Sequence, residues 1–587
     1  MSNYTRNTLT GDLAPINAEL EKVQNAIADK LDRVPSVSQA NQLNNTLDAN
    51  SNRIINLPAP SSPNDAARLV DVAAQSGTSV LPPQSGQNNR YLKTDGTTPF
   101  WSNVTKAEVG LGNVDNTTDA LKPISIATNV ELSKKASYVN TFTALALLSP
   151  TEGEVFVCVE RANAEYIVQA AAYTALAGDV TFANGRVAKL QINGVGDAHQ
   201  FGAIGNNIVD DTAALNGWLS RGKNHYLPAG IYKTTASLTN LGQDFKIFGA
   251  GKYITNIRST GNYSTLILSS PGSEISRCEL RGFTISAEAG DKSAGASIEA
   301  TVVLKGAVLT DIRLSHYFDG FLFSAGCNRM YMTNISYDSG GRTAGTNGRY
   351  TFHCPSITTS MVDWHMINMQ GSGFEAGGGH NISAHFYLRK FDGIYLTNSH
   401  FFYGDRIFDI NPVSGSNCTS ILCSNTYFDT MRLNHIRVNP ETGVVLKQWD
   451  FDGCTFRDAE ESSSILLLNT SVLEHLRING GTMWGNYGNA ISQVSATDFV
   501  KGLVVSGVTF TNNNTVNTTG GGDISIGGSN SVITGNSFEG GGATGNCVRF
   551  ISGGDNNIAT TNNMSLSTCT TKILDQGTGN ITTGNLL

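Results

Sequence analysis

The sequence predicts an all-β chain, most of it a right-handed parallel β-helix. Three observations carry the prediction. A short phrase recurs every 27 or 28 residues through the C-terminal half. Within each copy, apolar and polar residues alternate, pause at a Ser-Gly or Asn-Gly, and alternate again, which is strand periodicity on both sides of a bend. No segment there offers the helically spaced run that a strand–helix–strand crossover requires. A fixed period of this size means stacked structural units.

The phrase reads Leu503-Val-Val-Ser-Gly-Val-Thr-Phe510 and Ser531-Val-Ile-Thr-Gly-Asn-Ser-Phe538, with earlier copies ending at Phe428, Phe456 and Met483. Taking the last apolar residue of each copy as an anchor gives 401, 428, 456, 483, 510 and 538. A second short run follows each anchor: Phe408-Asp-Ile-Asn411, Ile436-Arg-Val-Asn439 and Leu466-Leu-Leu-Asn469. Each repeat therefore supplies two or three short strands, and strands of successive coils pair in parallel. Upstream copies, such as Cys278 to Ile285, Leu309 to Leu314 and Val362 to Met369, are less regular. Insertions between them form loops on one side, the usual place for a binding surface.

Composition bounds the rest. A chain of 587 residues is too long for one core of ordinary shape. Its 62 glycines against 15 prolines suit tight turns between short strands. The formal charge of −8 argues against a nucleic-acid partner held by phosphate contacts. No apolar run is long enough for membrane insertion, and no secretory leader is expected. The nine cysteines sit at no metal-ligand spacing and read as buried thiols, with Cys423 and Cys454 on inward positions. Neither a metal nor a cofactor is expected.

Four regions follow in order. Residues 1–75 contain one amphipathic stretch, Leu13 to Leu31, that reads as a short helix stable only against a partner chain. The segment Asn52-Arg-Ile-Ile-Asn-Leu-Pro-Ala-Pro60 with Asp65 to Asp71 resembles one found in bacteriophage tail fibres and tailspikes. Residues 76–135 hold two segments that resemble tail-fibre modules, Tyr91 to Trp101 and Val109 to Asn116 with Lys122 to Ser125. Residues 136–199 read as a small β-rich adaptor. Residues 200–587 form the β-helix. Its opening, Phe201-Gly-Ala-Ile-Gly, Asp210-Asp-Thr-Ala-Ala-Leu215, Tyr226-Leu-Pro-Ala-Gly-Ile-Tyr232 and Phe248-Gly-Ala-Gly251, resembles the start of the pectate-lyase-like β-helix superfamily found in phage tailspikes. Asp210, Asp211 and Thr212 are expected to cap a helix to about Leu219 that plugs the open end of the solenoid.

The resemblance implies a virion-tail protein, a homotrimer made in the host cytoplasm. It implies attachment to the phage tail or an adaptor protein through the N-terminus, and binding of a bacterial surface polysaccharide, capsule or O-antigen. A packed solenoid leaves only outward positions and loops for chemistry. In the pattern apolar-X-apolar-Asn, X points out, which stacks Glu375, Asp409 and Arg437 in successive coils. Carboxylates on neighbouring strands lie about 4.8 Å apart, which disfavours joint ionisation and prepares an acid beside a base. Glu375 and Asp409 are therefore the expected glycosidase pair, and Arg437 orients them or binds an acidic sugar. The plainer alternative is an Asp409–Arg437 surface ion pair.

Asp363, Tyr395 and Asp450 form a second outward set for substrate, flanked by His400 and Tyr427. Asp363 and Asp450 are three coils apart, roughly 14 Å at that strand spacing, which suits a sugar-lined groove. His365, His385, His400 or Tyr395, with Arg389 or Arg437 as cation, could instead serve a lyase that abstracts the proton α to a uronic carboxylate. Glycoside hydrolysis is the first expectation, a polysaccharide lyase the second, and a receptor-binding fibre without activity the third.

Overall fold

Period-two sequences bend into a coil only where a residue can take a left-handed backbone, and this chain supplies one at the same place in each repeat. In the computed structural model, Asn368, Asn398, Asn425, Gly453, Gly480, Gly507 and Gly535 all have φ between +46° and +67°. Each stands at the corner between two consecutive strands, where Asn and Gly tolerate that conformation best. The structure describes residues 21–22, 81–110, 135–240, 242–288, 293–338, 349–373, 382–468, 472–494, 500–516, 522–542 and 544–587. The chain divides into two units, Met1–Pro123 and Ile124–Leu587.

In the first unit, strands Tyr91–Thr94 and Pro99–Ser102 form an antiparallel hairpin. Asp95 shapes its turn by accepting from the backbone N–H groups of Thr97 and Thr98, both at 2.9 Å. The expected helix from Leu13 to Leu31 and the segments 52–60 and 65–71 lie outside the described residues, apart from Glu21 and Lys22, which are helical.

The second unit begins with a five-stranded sheet spanning strands Ser137–Val139 to Val187–Leu190. Among the described residues, the strands after it form a right-handed parallel solenoid of about 12 turns. A helix, Thr212–Leu219, covers its N-terminal end, with Leu215, Trp218 and Leu219 buried. Asp210 caps it through the Thr212 N–H at 3.0 Å. Asp211 acts differently from expectation: its carboxylate accepts from Ile204 and Gly205, at 2.6 and 3.1 Å, and so ties down the preceding loop.

Each coil contributes to three faces. The first carries the long strands, among them Met361–Ile367, Phe391–Thr397, Asn417–Ser424, Val445–Asp452 and Val472–Asn479. The second follows around the corner, with His400–Phe402, Tyr427–Met431, Thr455–Ala459 and Thr482–Trp484. The third is a separate 13-stranded parallel sheet containing Ala384–Leu388, Arg406–Ile410 and Asn434–Val438.

The anchors read from the sequence stack directly. Phe401 pairs with Phe428, then Phe456, Met483, Phe510 and Phe538, all at most 1 % exposed. On the third face Phe321, Phe352, Phe386 and Phe408 stack with centroids 4.7–5.1 Å apart, an inward aromatic column running along the axis. All nine cysteines are free and buried.

Candidate functional site

An interior filled this way leaves the outward columns for function, and on the first face the strand register defines one directly. Tyr331, His365, Tyr395, Leu422, Asp450 and Arg477 follow each other coil by coil. The Tyr331, His365 and Tyr395 rings lie nearly parallel, with centroids 5.2 and 4.6 Å apart. This makes an aromatic ladder whose ring faces cover one another and whose edges, half-exposed, line the outer surface. Beyond it Asp450 and Arg477 form a two-pronged ion pair at 2.9 and 3.3 Å. Two cavities of about 400 and 520 Å³ meet there, both lined by Leu422, Asp450 and Arg477.

Tyr395 and Asp450 therefore share one column, as expected, but Asp363 does not belong to it. Asp363 has φ +51° and forms a left-handed kink that shifts the in-out alternation by one residue while the strands stay in register, so His365 takes the place under Tyr395. The kink recurs in successive coils, at Gly393, Ser420, Gln448 and His475, all with positive φ. Asp363 faces Gly393, where an added Cβ would meet its carboxylate at 3.0 Å.

Two residues past each first-face strand, the chain turns onto the second face and lays out a denser polar cluster. His400, Tyr427 and Thr455 form one outward column, and Phe402, Asp429, Arg457 and Trp484 the other. His400 packs edge-on against Tyr427, with centroids 4.9 Å apart, and lies 4.8 Å from the Phe402 ring. Its Nε2 is buried without a hydrogen-bond partner and stands 3.8 Å from Asp429 Oδ2. Arg457 occupies the centre. Its Nε lies 3.7 Å from Asp429 Oδ1 and 3.0 Å from Asp458 Oδ2. Its Nη1 donates to the Tyr427 hydroxyl at 3.4 Å, and its guanidinium covers the Trp484 ring at 4.6 Å.

This setting drives two neighbouring carboxyl groups in opposite directions. Burial alone would raise Asp429, but the nearby His400 imidazole, the hydrogen bond from the Thr430 hydroxyl at 2.8 Å and the charge of Arg457 outweigh it and hold the group below its ordinary range. Asp458 is raised by burial, which exceeds the pull of Arg457 and is reinforced by the charge of Asp429. Two neighbouring carboxyl groups whose surroundings pull their pKa values apart are the arrangement that can divide base from acid. Since both contact one nitrogen, the two facing oxygens are at most about 6.7 Å apart, the sum of the two distances.

The expected column of Glu375, Asp409 and Arg437 has a different register on the third face. The residue paired with Asp409 in the preceding coil is Tyr387, because strand Ala384–Leu388 fills that coil, and Glu375 lies outside the described residues. Asp409 is 4 % exposed. Both its oxygens are held by Arg437, Nε to Oδ1 at 2.7 Å and Nη2 to Oδ2 at 2.8 Å. That is the plain ion pair the sequence left open. His385 is interior: its ring bonds the Tyr337 hydroxyl at 2.8 Å and the Tyr403 carbonyl at 2.9 Å, and burial lowers it to about 3.

Of the residues named from sequence, Tyr395 and Asp450 thus line the first-face groove, while His400 and Tyr427 enter the second-face cluster. Asp429, Arg457, Asp458 and Trp484 were missed. The signal was present: Asp429, Arg457 and Trp484 each follow an anchor by one residue, where alternation points outward.

A parallel β-solenoid bearing an aromatic strip and an acid pair on its outer surface is the class of protein these features define. No protein-family model matches the chain, and no curated protein matches it. Phage tailspikes are among the solved structures similar to it. The gp42 tailspike of Acinetobacter phage vb_AbaP_AS12 is 13% identical over 77% of this chain and 74% of that one, with a TM-score of 0.40. The tailspike of Acinetobacter baumannii phage AM24 is 12% identical over 68% of each chain, with a TM-score of 0.34. The A-module of a mannuronan C-5 epimerase of Azotobacter vinelandii is 13% identical over 66% of this chain and 98% of that one, with a TM-score of 0.30. Superposition at these scores assigns no chemistry to the groove.

Proposed function

We propose that this chain is a phage tailspike that binds a bacterial surface polysaccharide along the Tyr331–His365–Tyr395 strip and cleaves it by glycosidic hydrolysis at the Asp429–Asp458 pair. The observation that carries the proposal is the divergence of those two carboxyl groups around Arg457. Asp458, the member whose pKa is raised, donates its proton to the glycosidic oxygen as the bond breaks. Asp429, the ionised member, attacks the anomeric carbon, and Asp458 then activates the water that releases the sugar. Retaining enzymes hold their carboxyl groups about 5–5.5 Å apart and inverting ones about 6.5–9.5 Å. Asp429 as nucleophile is the retaining assignment, and the bound of about 6.7 Å between the facing oxygens accommodates that spacing. The roles move from Glu375 and Asp409 to this pair because both oxygens of Asp409 are occupied by Arg437.

A second reading rests on the Arg457–Tyr427 contact. A guanidinium that neutralises a uronic carboxylate, beside a phenol able to take the α-proton, is the equipment of a polysaccharide lyase. Attachment to the virion tail through the N-terminal segments, and assembly as a homotrimer, belong to the same proposal and rest on the segments around Asn52 to Asp71 and Tyr91 to Trp101.

The test is incubation of the full chain with a panel of purified capsular and O-antigen polysaccharides, following reducing ends and ultraviolet absorbance together. New reducing ends without absorbance support hydrolysis. Absorbance from an unsaturated uronate supports the lyase reading, and binding with neither signal leaves a receptor-binding spike.

A further inference from the structure

Near the C-terminal end of the solenoid, three buried side chains from successive coils converge. Asp523 lies on strand Gly522–Ile526, Cys547 on strand Asn546–Phe550, and Cys569 just ahead of strand Thr571–Asp575. Gly522 pairs with Asn546, so Asp523 and Cys547 are cross-strand neighbours, and Asn546 pairs in turn with Thr571. A carboxylate oxygen and both sulfurs lie within 4.8 Å of one another. All three residues are at most 5 % exposed.

An aspartate pointing into a solenoid core is costly unless something offsets its charge. Among the described residues, Asp523 Oδ1 has no hydrogen-bond partner, and the carboxyl's one side-chain hydrogen bond comes from Asn513. Burial pushes this group up to about 8. Gly541, with φ +97°, borders the cluster, and a Cβ there would come within 3.3 Å of the Cys569 sulfur. The space beside the ligands is thus kept free of a side chain.

We propose that Asp523, Cys547 and Cys569 form a structural site for a soft divalent cation of the zinc class, which staples the last coils together. Two thiolates and a carboxylate suit zinc and exclude calcium or magnesium, which take oxygen ligands. Ser567, whose hydroxyl lies 3.1 Å from Cys547 Sγ, or a water completes the tetrahedron. Zinc bonds of about 2.0–2.3 Å place ligand atoms about 3.5 Å apart, so binding draws the cluster in by roughly an ångström. It also releases the carboxyl and thiol protons to solvent. Linear spacing hides the site, because its ligands come from three different coils.

The experiment is titration of the reduced, metal-stripped full chain with cobalt(II). One equivalent should produce a thiolate-to-cobalt charge-transfer band and tetrahedral d–d bands, and zinc should abolish both. Asp523→Asn should shift the d–d bands, and Cys569→Ser should weaken cobalt binding at least tenfold. Because a core substitution can impair folding, the wild-type stoichiometry and a zinc-dependent rise in melting temperature are read independently. Titratable thiols with no cobalt band would overturn the proposal. So would a Cys547–Cys569 disulfide in protein freshly purified from reducing, zinc-replete cells.

Discussion

The Arg457 guanidinium lies 4.6 Å from the ring centre of Trp484, its neighbour one coil further along the second face. That stack fixes a cation on an outer surface where a free arginine would sweep through solvent. Held there, Arg457 meets Asp429 on one side and Asp458 on the other, and the two acids acquire different tasks.

The division of labour predicts a pH profile. Asp429 must be ionised, so the acid limb of kcat/KM falls below the ordinary aspartate value of 3.8. Asp458 must be protonated, so the alkaline limb lies above 3.8. The expected result is a bell wider than two ordinary aspartates give. Asp458→Asn should remove the alkaline limb, which initial rates on a soluble polysaccharide across the acid range would reveal.

The aromatic platforms should act through binding. Tyr395→Ala and Trp484→Ala each remove a partly exposed aromatic group from the glycan-facing surface, a loss of apolar contact of about 1 kcal/mol. Each should raise KM by up to about tenfold. Trp484→Ala should also lower kcat, because it releases Arg457, whereas Tyr395→Ala should leave kcat unchanged. Steady-state kinetics separate the two.

On the third face, Arg437→Met should cost stability and spare activity. Removing one partner of a buried pair costs about 3–5 kcal/mol. The lower end is expected here, because the Arg437 side chain keeps 26% of its surface in solvent. Denaturant unfolding of the variant, beside its rate on polysaccharide, checks both halves.

Acid should weaken the solenoid before it protonates the surface acids. Burial lowers His225 and His435 to about 4 and His385 to about 3, from 6.5. The unfolded chain therefore binds more protons than the folded one in this window, and stability falls as pH drops from 6.5 toward 4. Thermal melts at steps across that range should show the loss, and His385→Gln should reduce its steepness.

Much of the fold was legible because inward positions are tightly constrained. The anchors from Phe401 to Phe538 had to be large and apolar to fill the axis, and they stack as read. Outward positions carry no such constraint, so their register had to be counted, and counting failed at two kinds of place. The left-handed kink at Asp363 moved the alternation by one residue. Ahead of Asp409, a strand of its own places Tyr387 where Glu375 was expected. His400 and Tyr427 were identified because they flank a well-spaced anchor, yet Asp429 and Arg457, immediately beyond the anchors, were passed over. Their significance comes from meeting Asp458 and Trp484 across coils, which no linear spacing displays.

The most direct measurement compares wild type with Asp429→Asn and Asp458→Asn in reducing-end release from a cleaved polysaccharide, alongside binding of the same glycan. Loss of a positioned acid or base costs roughly 10²–10⁴-fold in rate. The predicted result is a loss of that size in both variants, with unchanged melting and retained binding. Full activity in either variant would contradict the assignment of this pair as the catalytic site.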